Sequence, residues 1–278
     1  MQLIAGLVFL AFAIAFLWLL VRKRVRRLWQ EVFAIRREIQ ASKKELIAVR
    51  KELLLSQISE DLRLPARLPS EDGEDLVLYN FFGRKKAGFY LEIGAYNGVE
   101  LSNTYFFEAL GWTGILIEPD PGLYHQCRLS RPHSKVINVA ASDQPGSLHF
   151  STAKGMEWLS FSGENKSREQ RIISGGGTLE RIEVPCLTLN EILKDLDQQI
   201  DFMSLDVEGY EMQVLQGFNI DKYRPRVIVI EQNAMDNESP VSNLLRQHGY
   251  SRKFHLGSNS FYVHNSDQGV FSWTALNA

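Results

Sequence analysis

The first 21 residues carry no charged side chain and are rich in Leu, Ala, Ile and Phe. An apolar run of about 20 residues is long enough to cross a bilayer as one helix. Arg22, Lys23, Arg24, Arg26 and Arg27 follow at once. A cleaved signal peptide places its cations first, so this order predicts a retained single-pass span over residues 1–21. Lys and Arg stay on the cytoplasmic side, which puts the remaining chain in the cytosol. From Leu28 the apolar positions change period: Leu28, Val32, Ile35, Ile39, Ser42, Leu46, Val49, Leu53 and Ser56 alternate spacings of four and three. With Val32, Ile39, Leu46 and Leu53 as the a positions of a heptad, Glu31, Glu38, Glu45 and Glu52 fall at g. Arg36, Lys43, Arg50 and Gln57 then fall at e, and opposite charges face each other on a parallel partner. This predicts a parallel homo-oligomer through residues 28–57. Val32 and Ile39 favour a dimer, while Ser42 and Ser56 at d leave a trimer open. The alternative is a single amphipathic helix lying on the membrane or on its own domain.

Pro65, Pro69 and the run Ser70-Glu71-Asp72-Gly73 end this helix and predict a linker over 65–73, so the basic segment and coiled coil occupy 22–64. Beyond it, short apolar runs alternate with helical periodicity. Helix is expected at 74–82, strand at 88–93, helix at 101–110, strands at 114–118 and 135–140, strand at 200–206 with a helix from about 210, strand at 226–231 and helix at 240–248. Residues 250–255 and 260–264 read as a closing antiparallel pair. Such alternation predicts an α/β domain over 74–278 with a parallel sheet covered by helices on both faces. Between 140 and 200 the alternation breaks. Residues 147–150 and 181–187 read as short strands around a polar, glycine-rich stretch, 151–180, which is either a lid or a surface excursion. Met156, Trp158 and Phe161 favour the lid, because a disordered loop has little use for aromatic and apolar side chains.

The candidate chemistry sits at strand ends. Phe89-Tyr90-Leu91-Glu92-Ile93 feeds the turn Gly94-Ala95-Tyr96-Asn97-Gly98, which opens toward a helix. Glycine permits close approach of a ligand, and free N–H groups at a helix start favour electron-rich atoms. The turn lacks the GxGxxG spacing of pyrophosphate binders, and an acid at the strand end suits a cationic or hydroxylated ligand, of which S-adenosylmethionine is the commonest. The alternative is a tight turn with no ligand. A net charge of −2 offers no field for nucleic acid. Cys127 and Cys186 lie in separate segments without metal-ligand spacing, as expected for reduced thiols, and no spacing rule supports a metal site.

The runs FYLEIGAYNGVELSNTYFFEALGW, GILIEPDP, NVAASD and DFMSLDVEGYEMQVLQGF occur in that order. Together they resemble the FkbM-type methyltransferases over residues 76–263, and not the span or the coiled coil. The resemblance implies a Rossmann-like class I methyltransferase sheet with helices on both faces and S-adenosylmethionine as cofactor; the hydrophobic pattern places a transmembrane helix and a coiled-coil helix before it. It implies that Glu92, Gly94, Ala95, Tyr96, Asn97 and Gly98 form the cofactor loop, that Glu118 accepts the ribose hydroxyls, and that Ser142 and Asp143 border the adenine. Asp206 and Glu208 would lie near the methionine end and the acceptor. Glu208, Asp206 and Glu231 are the candidate bases for O-methylation of a hydroxyl on a glycan, lipid or small metabolite; His255 and His264 are further candidates. A catalytically silent, membrane-anchored scaffold of the same fold is the alternative from another class.

Overall fold

The computed structural model describes residues 2–58, 62–83, 85–163, 165–232 and 238–267, with the side chains of 2–17, 19, 20 and 158 outside that description. The chain divides into two compact units, at residues 1–56 and 57–278.

The first unit is one helix, α1 (Gln2–Gln57). Its sequence is free of Pro and dominated beyond residue 21 by Arg, Lys, Glu, Leu and Ala, residues that lose little freedom in a helix. The stripe Leu28, Val32, Ile35, Ile39, Leu46, Val49 and Leu53 is more than half exposed at every position. The expected span at 1–21 lies almost wholly outside the described side chains; among the described residues no helix is long and apolar enough to cross a membrane.

The second unit opens before the expected domain start. Leu68 and Ser70 are buried, and the Ser70 N–H donates to Asp75 Oδ2, so the end of the expected linker packs on the domain. The elements then run α2 (Glu74–Phe81), β1 (Phe89–Ile93), α3 (Tyr105–Ala109), β2 (Thr113–Ile117), α4 (Pro121–Ser130), β3 (Lys135–Ile137) and β4 (Ala140–Ala141). They continue with β5 (Gly146–Lys154), β6 (Phe161–Ser162), α5 (Lys166–Ser174), β7 (Thr178–Leu187), α6 (Leu189–Ile192), β8 (Phe202–Leu205), α7 (Glu211–Gln216), α8 (Ile220–Tyr223), β9 (Val227–Glu231), α9 (Pro240–Gln247), β10 (Tyr250–Leu256) and β11 (Asn259–His264).

The main sheet has the order β10-β11-β9-β8-β1-β2-β3, parallel from β9 to β3 and closed by the expected antiparallel pair. Strands β1, β2, β8 and β9 are buried along nearly their whole length, as a doubly covered sheet requires. Phe89, Leu91 and Ile93 of β1 pack with residues of α6, α7 and α9. Tyr90, between them, points to the other face, into the aromatic cluster of Phe81, Phe82, Phe107, Trp112 and Phe202. The strand order reverses between β1 and β8, and a crevice opens there at the carboxyl ends of the strands.

Two expectations change. The strand expected over 135–140 is split: β3 ends at Ile137, and Ala140–Ala141 joins a second sheet of order β4-β7-β5-β6. The stretch 151–180 is not an irregular loop. Strands β5 and β7 pair antiparallel from Gly146↔Cys186 to Lys154↔Thr178, and α5 packs beside them. Phe161 and Ile172 are buried in a small core of this second sheet, so the apolar residues of the stretch serve packing. The Trp158 side chain lies outside the described residues.

Candidate active site

The turn after β1 is tied to the end of β2. The N–H groups of Gly94 and Ala95 donate to the Ile117 carbonyl, and that of Tyr96 to Glu118 Oε2 at 2.8 Å. Gly94 has φ +84°, and a Cβ there would lie 1.8 Å from the Asp206 carbonyl oxygen, so only glycine lets the β1 turn lie against the end of β8. Asn97 Oδ1 accepts from the Val99 and Glu100 N–H groups. The expectation of free helix-start N–H groups therefore fails: these amides are already bonded, and α3 begins at Tyr105, beyond the turn. Tyr96 and Glu208, at opposite sides of the crevice, hold φ of 50° and 58°, a backbone region that non-glycine residues rarely occupy and that clusters at functional sites.

Beneath the turn lies a polar network that no local pattern reveals. Arg131, fully buried, donates to Glu108 at 2.8 Å, to the Gly98 carbonyl at 2.9 Å and to Thr104 Oγ1 at 2.7 Å, and pairs with Glu92 at 3.3 Å. Glu92 also accepts from Ser102 and Thr104. Its carboxylate is thus committed to the protein, and burial raises its pKa against the pull of Arg131.

A cavity of about 410 Å³ spans the crevice, lined by Gly94, Ala95, Tyr96, Glu118, Asp206, Glu208 and Glu231 among others, with Glu92 at its floor. Asn97 and Gly98 stand behind this wall. Ser142 and Asp143 are not in the lining, which reaches Ala140 and Ala141; Ser142 Oγ instead donates to Asp143 at 3.0 Å. His255 and His264 are bonded to Ser260 and Ser266 in the closing hairpin and stand outside the lining.

Glu118 is almost wholly buried, and its Oε1 and Oε2 accept from the Asp120 and Tyr96 N–H groups. Burial pushes its pKa up to about 8, those hydrogen bonds opposing and Asp120 adding to the rise. A carboxylate accepts about four hydrogen bonds, so capacity for a vicinal diol remains.

Across the crevice, one carboxylate oxygen each from Asp206, Glu208 and Glu231 lie within 4.8 Å of one another, a spacing that would fit a single cation. Asp206 is open to the cavity yet enclosed by protein; that enclosure, then Glu231 and Glu211, pushes its pKa well above the usual carboxylate range. Burial and Glu211 raise Glu231 likewise, Arg168 opposing, and the two carboxyls hydrogen-bond to each other. Arg168, on α5, forms an ion pair with Glu208. Its guanidinium is drawn also by Glu231, Glu211 and Asp206, while burial lowers its pKa. Sequence reading missed Arg168 because it lies in the stretch without visible periodicity. Ser258 and Asn259 of the closing hairpin, and Glu74 of α2, complete the far wall.

The model of the methyltransferase FkbM domain family matches residues 92–252. This chain belongs to the FkbM methyltransferase family. Its cofactor is S-adenosylmethionine, and the donor set fits: a buried acid with spare acceptor capacity ends β2, and a glycine-bent turn faces it. No match was found among curated proteins. Solved structures that match the chain include precorrin-6y C5,15-methyltransferase from Geobacter metallireducens GS-15, at 12% identity and TM-score 0.39, covering 74% of this chain and 93% of that one. The METTL16 MTase domain is 12% identical with TM-score 0.45, covering 82% of each chain. Aeropyrum pernix fibrillarin with natively bound S-adenosyl-L-methionine is 11% identical with TM-score 0.39, covering 64% of this chain and 67% of that one. In this FkbM methyltransferase, burial accounts for the two cysteines, which are free thiols.

Proposed function

We propose that this FkbM methyltransferase methylates a hydroxyl group of a glycan, lipid or small metabolite at the inner face of a membrane. The observation that carries the reading is the convergence of Asp206, Glu208 and Glu231 beside the turn at Gly94 in one cavity. When bound, S-adenosylmethionine supplies a methyl group made electrophilic by its sulfonium. Gly94, Ala95 and Tyr96 bound the donor and Glu118 accepts its ribose hydroxyls. An unactivated alcohol needs help losing its proton, and a carboxylate with a raised pKa is a suitable acceptor for it. Asp206 and Glu231, both raised chiefly by burial and then by neighbouring acids, supply that base. Glu208 is third of the three, because its carboxylate is already engaged by the Arg168 guanidinium. Much of the remaining rate comes from holding acceptor and donor in line.

Residues 1–21 anchor the enzyme as a single-pass span, and the stripe from Leu28 to Leu53 joins copies in parallel. Protease digestion of sealed vesicles of both orientations checks the cytosolic side; a domain cut only from the exterior face overturns it.

The test combines saturation binding of S-adenosylmethionine with an untargeted search, in a membrane extract, for species that gain a methyl group when enzyme and cofactor are added. Asp206→Asn and Glu231→Gln should each lower methyl incorporation roughly a hundredfold while cofactor affinity changes much less. A wild-type chain without cofactor affinity overturns the reading in favour of a silent scaffold.

A further inference from the structure

We propose that Arg168 is a specificity-determining residue of the cofactor site, whose guanidinium offsets the carboxylates of Asp206, Glu208 and Glu231 so that the site does not over-bind a sulfonium. The inference rests on the reading of this cavity as the methyl-donor site and extends it to a residue that the resemblance does not assign. The cluster adjoins the cofactor turn directly: the Asp206 N–H donates to the Ile93 carbonyl at 3.0 Å, and the Asp206 carbonyl packs on Gly94. Methyl transfer disperses the positive charge of the donor. A set of bare carboxylates beside it would stabilise the ground state more than the transition state, and so slow the reaction while tightening binding. The acids are nevertheless needed, as base and as acceptor contacts. A fixed internal cation meets both demands.

Arg168 is built for that position. It lies in the first turn of α5, where its backbone N–H donates to Asn165 Oδ1 at 3.1 Å. Its side chain is 13% exposed and that of its partner Glu208 18%, which shields the pair from bulk water. Ile172, fully buried one turn further on, anchors the helix to the second sheet. A guanidinium carried by α5, outside the main sheet, is thereby paired with Glu208 and set in the field of Asp206 and Glu231.

The experiment compares S-adenosylmethionine with S-adenosylhomocysteine, which shares every part of the ligand except the methyl group and its positive charge. Calorimetry on the full chain gives both dissociation constants for wild type, Arg168→Gln and Arg168→Lys. In Arg168→Gln the preference for the sulfonium ligand should rise roughly tenfold, from the unscreened carboxylates in a partly enclosed site. Arg168→Lys, which restores the charge, should return the ratio toward wild type. A merely structural role would weaken both ligands alike, so an unchanged ratio overturns the inference while leaving the site reading intact. If neither ligand binds wild type, the site reading falls and the inference with it. Glu118→Ala separates these outcomes, since it should weaken both ligands equally through the ribose that they share.

Discussion

The Tyr96 backbone N–H donates to Glu118 Oε2 at 2.8 Å, joining the turn after β1 to the acid that ends β2. Tyr96 holds φ of 50° to make this contact, and Glu118 is buried with both oxygens engaged. One carboxylate therefore both shapes the cofactor turn and faces the cavity.

Replacing that acid should separate the two roles. Glu118→Gln keeps an oxygen for one N–H but cannot ionise when the ribose diol binds, so folding should persist while S-adenosylmethionine affinity falls. Each charge-assisted hydrogen bond to the ribose contributes about 1.5–3 kcal/mol before water replaces it. Calorimetry should show a loss of at least roughly tenfold; wild-type affinity would remove Glu118 from the site.

The same burial makes a pH prediction. Glu118 is raised from 4.5 to about 8 in the folded chain, so between those values the folded state holds a proton that the unfolded state has released. The sign follows: stability falls as pH rises through that window, by up to about 1.4 kcal/mol per unit for this one group. Asp206, Glu231 and Glu92 are raised too and act in the same direction. Denaturant melts of the ligand-free chain from acid to mildly alkaline pH should show the decline, and Glu118→Gln should flatten it. Binding a ribose diol favours the ionised carboxylate, so cofactor binding near neutral pH should release a proton, measurable by calorimetry in buffers of different ionisation enthalpy.

Arg131 should matter to stability more than any exposed charge. Its removal leaves Glu92 and Glu108 buried and unpaired and frees the Gly98 carbonyl. Breaking a buried pair from one side costs about 3–5 kcal/mol. Arg131→Met should lose that much in denaturant unfolding; a change under about 1 kcal/mol would show that the network reorganises around water.

The exposed stripe of α1 should drive assembly. Reversing Glu38 and Glu45 to Lys places like charges opposite Lys43 and Arg50 of a parallel partner, and should weaken association by a few tenths of a kcal/mol per pair. Sedimentation of a peptide spanning 28–57 checks this, and a monomer at high micromolar concentration would refute it.

The sequence by itself determined the strands of the main sheet and the residues at their ends. Buried parallel strands are apolar on both faces, so FYLEI, GILI, FMSL and VIVIE stand out as runs; Glu118 and Asp206 follow their runs directly and Glu231 ends its own. Gly94 was legible for the same reason, as a break where a strand must turn. The second sheet was not legible in full. Its pairing joins residues 146–154 to 178–187, and many of its positions face water, so neither period nor composition marks its full length. Arg131 and Arg168 were invisible because nothing near them in sequence needs an arginine: their ion-pair partners Glu108, Glu92 and Glu208 lie far away along the chain. A charge acquires its role from what surrounds it, and only the folded chain brings Arg131 under the cofactor turn and Arg168 onto the acids across the crevice.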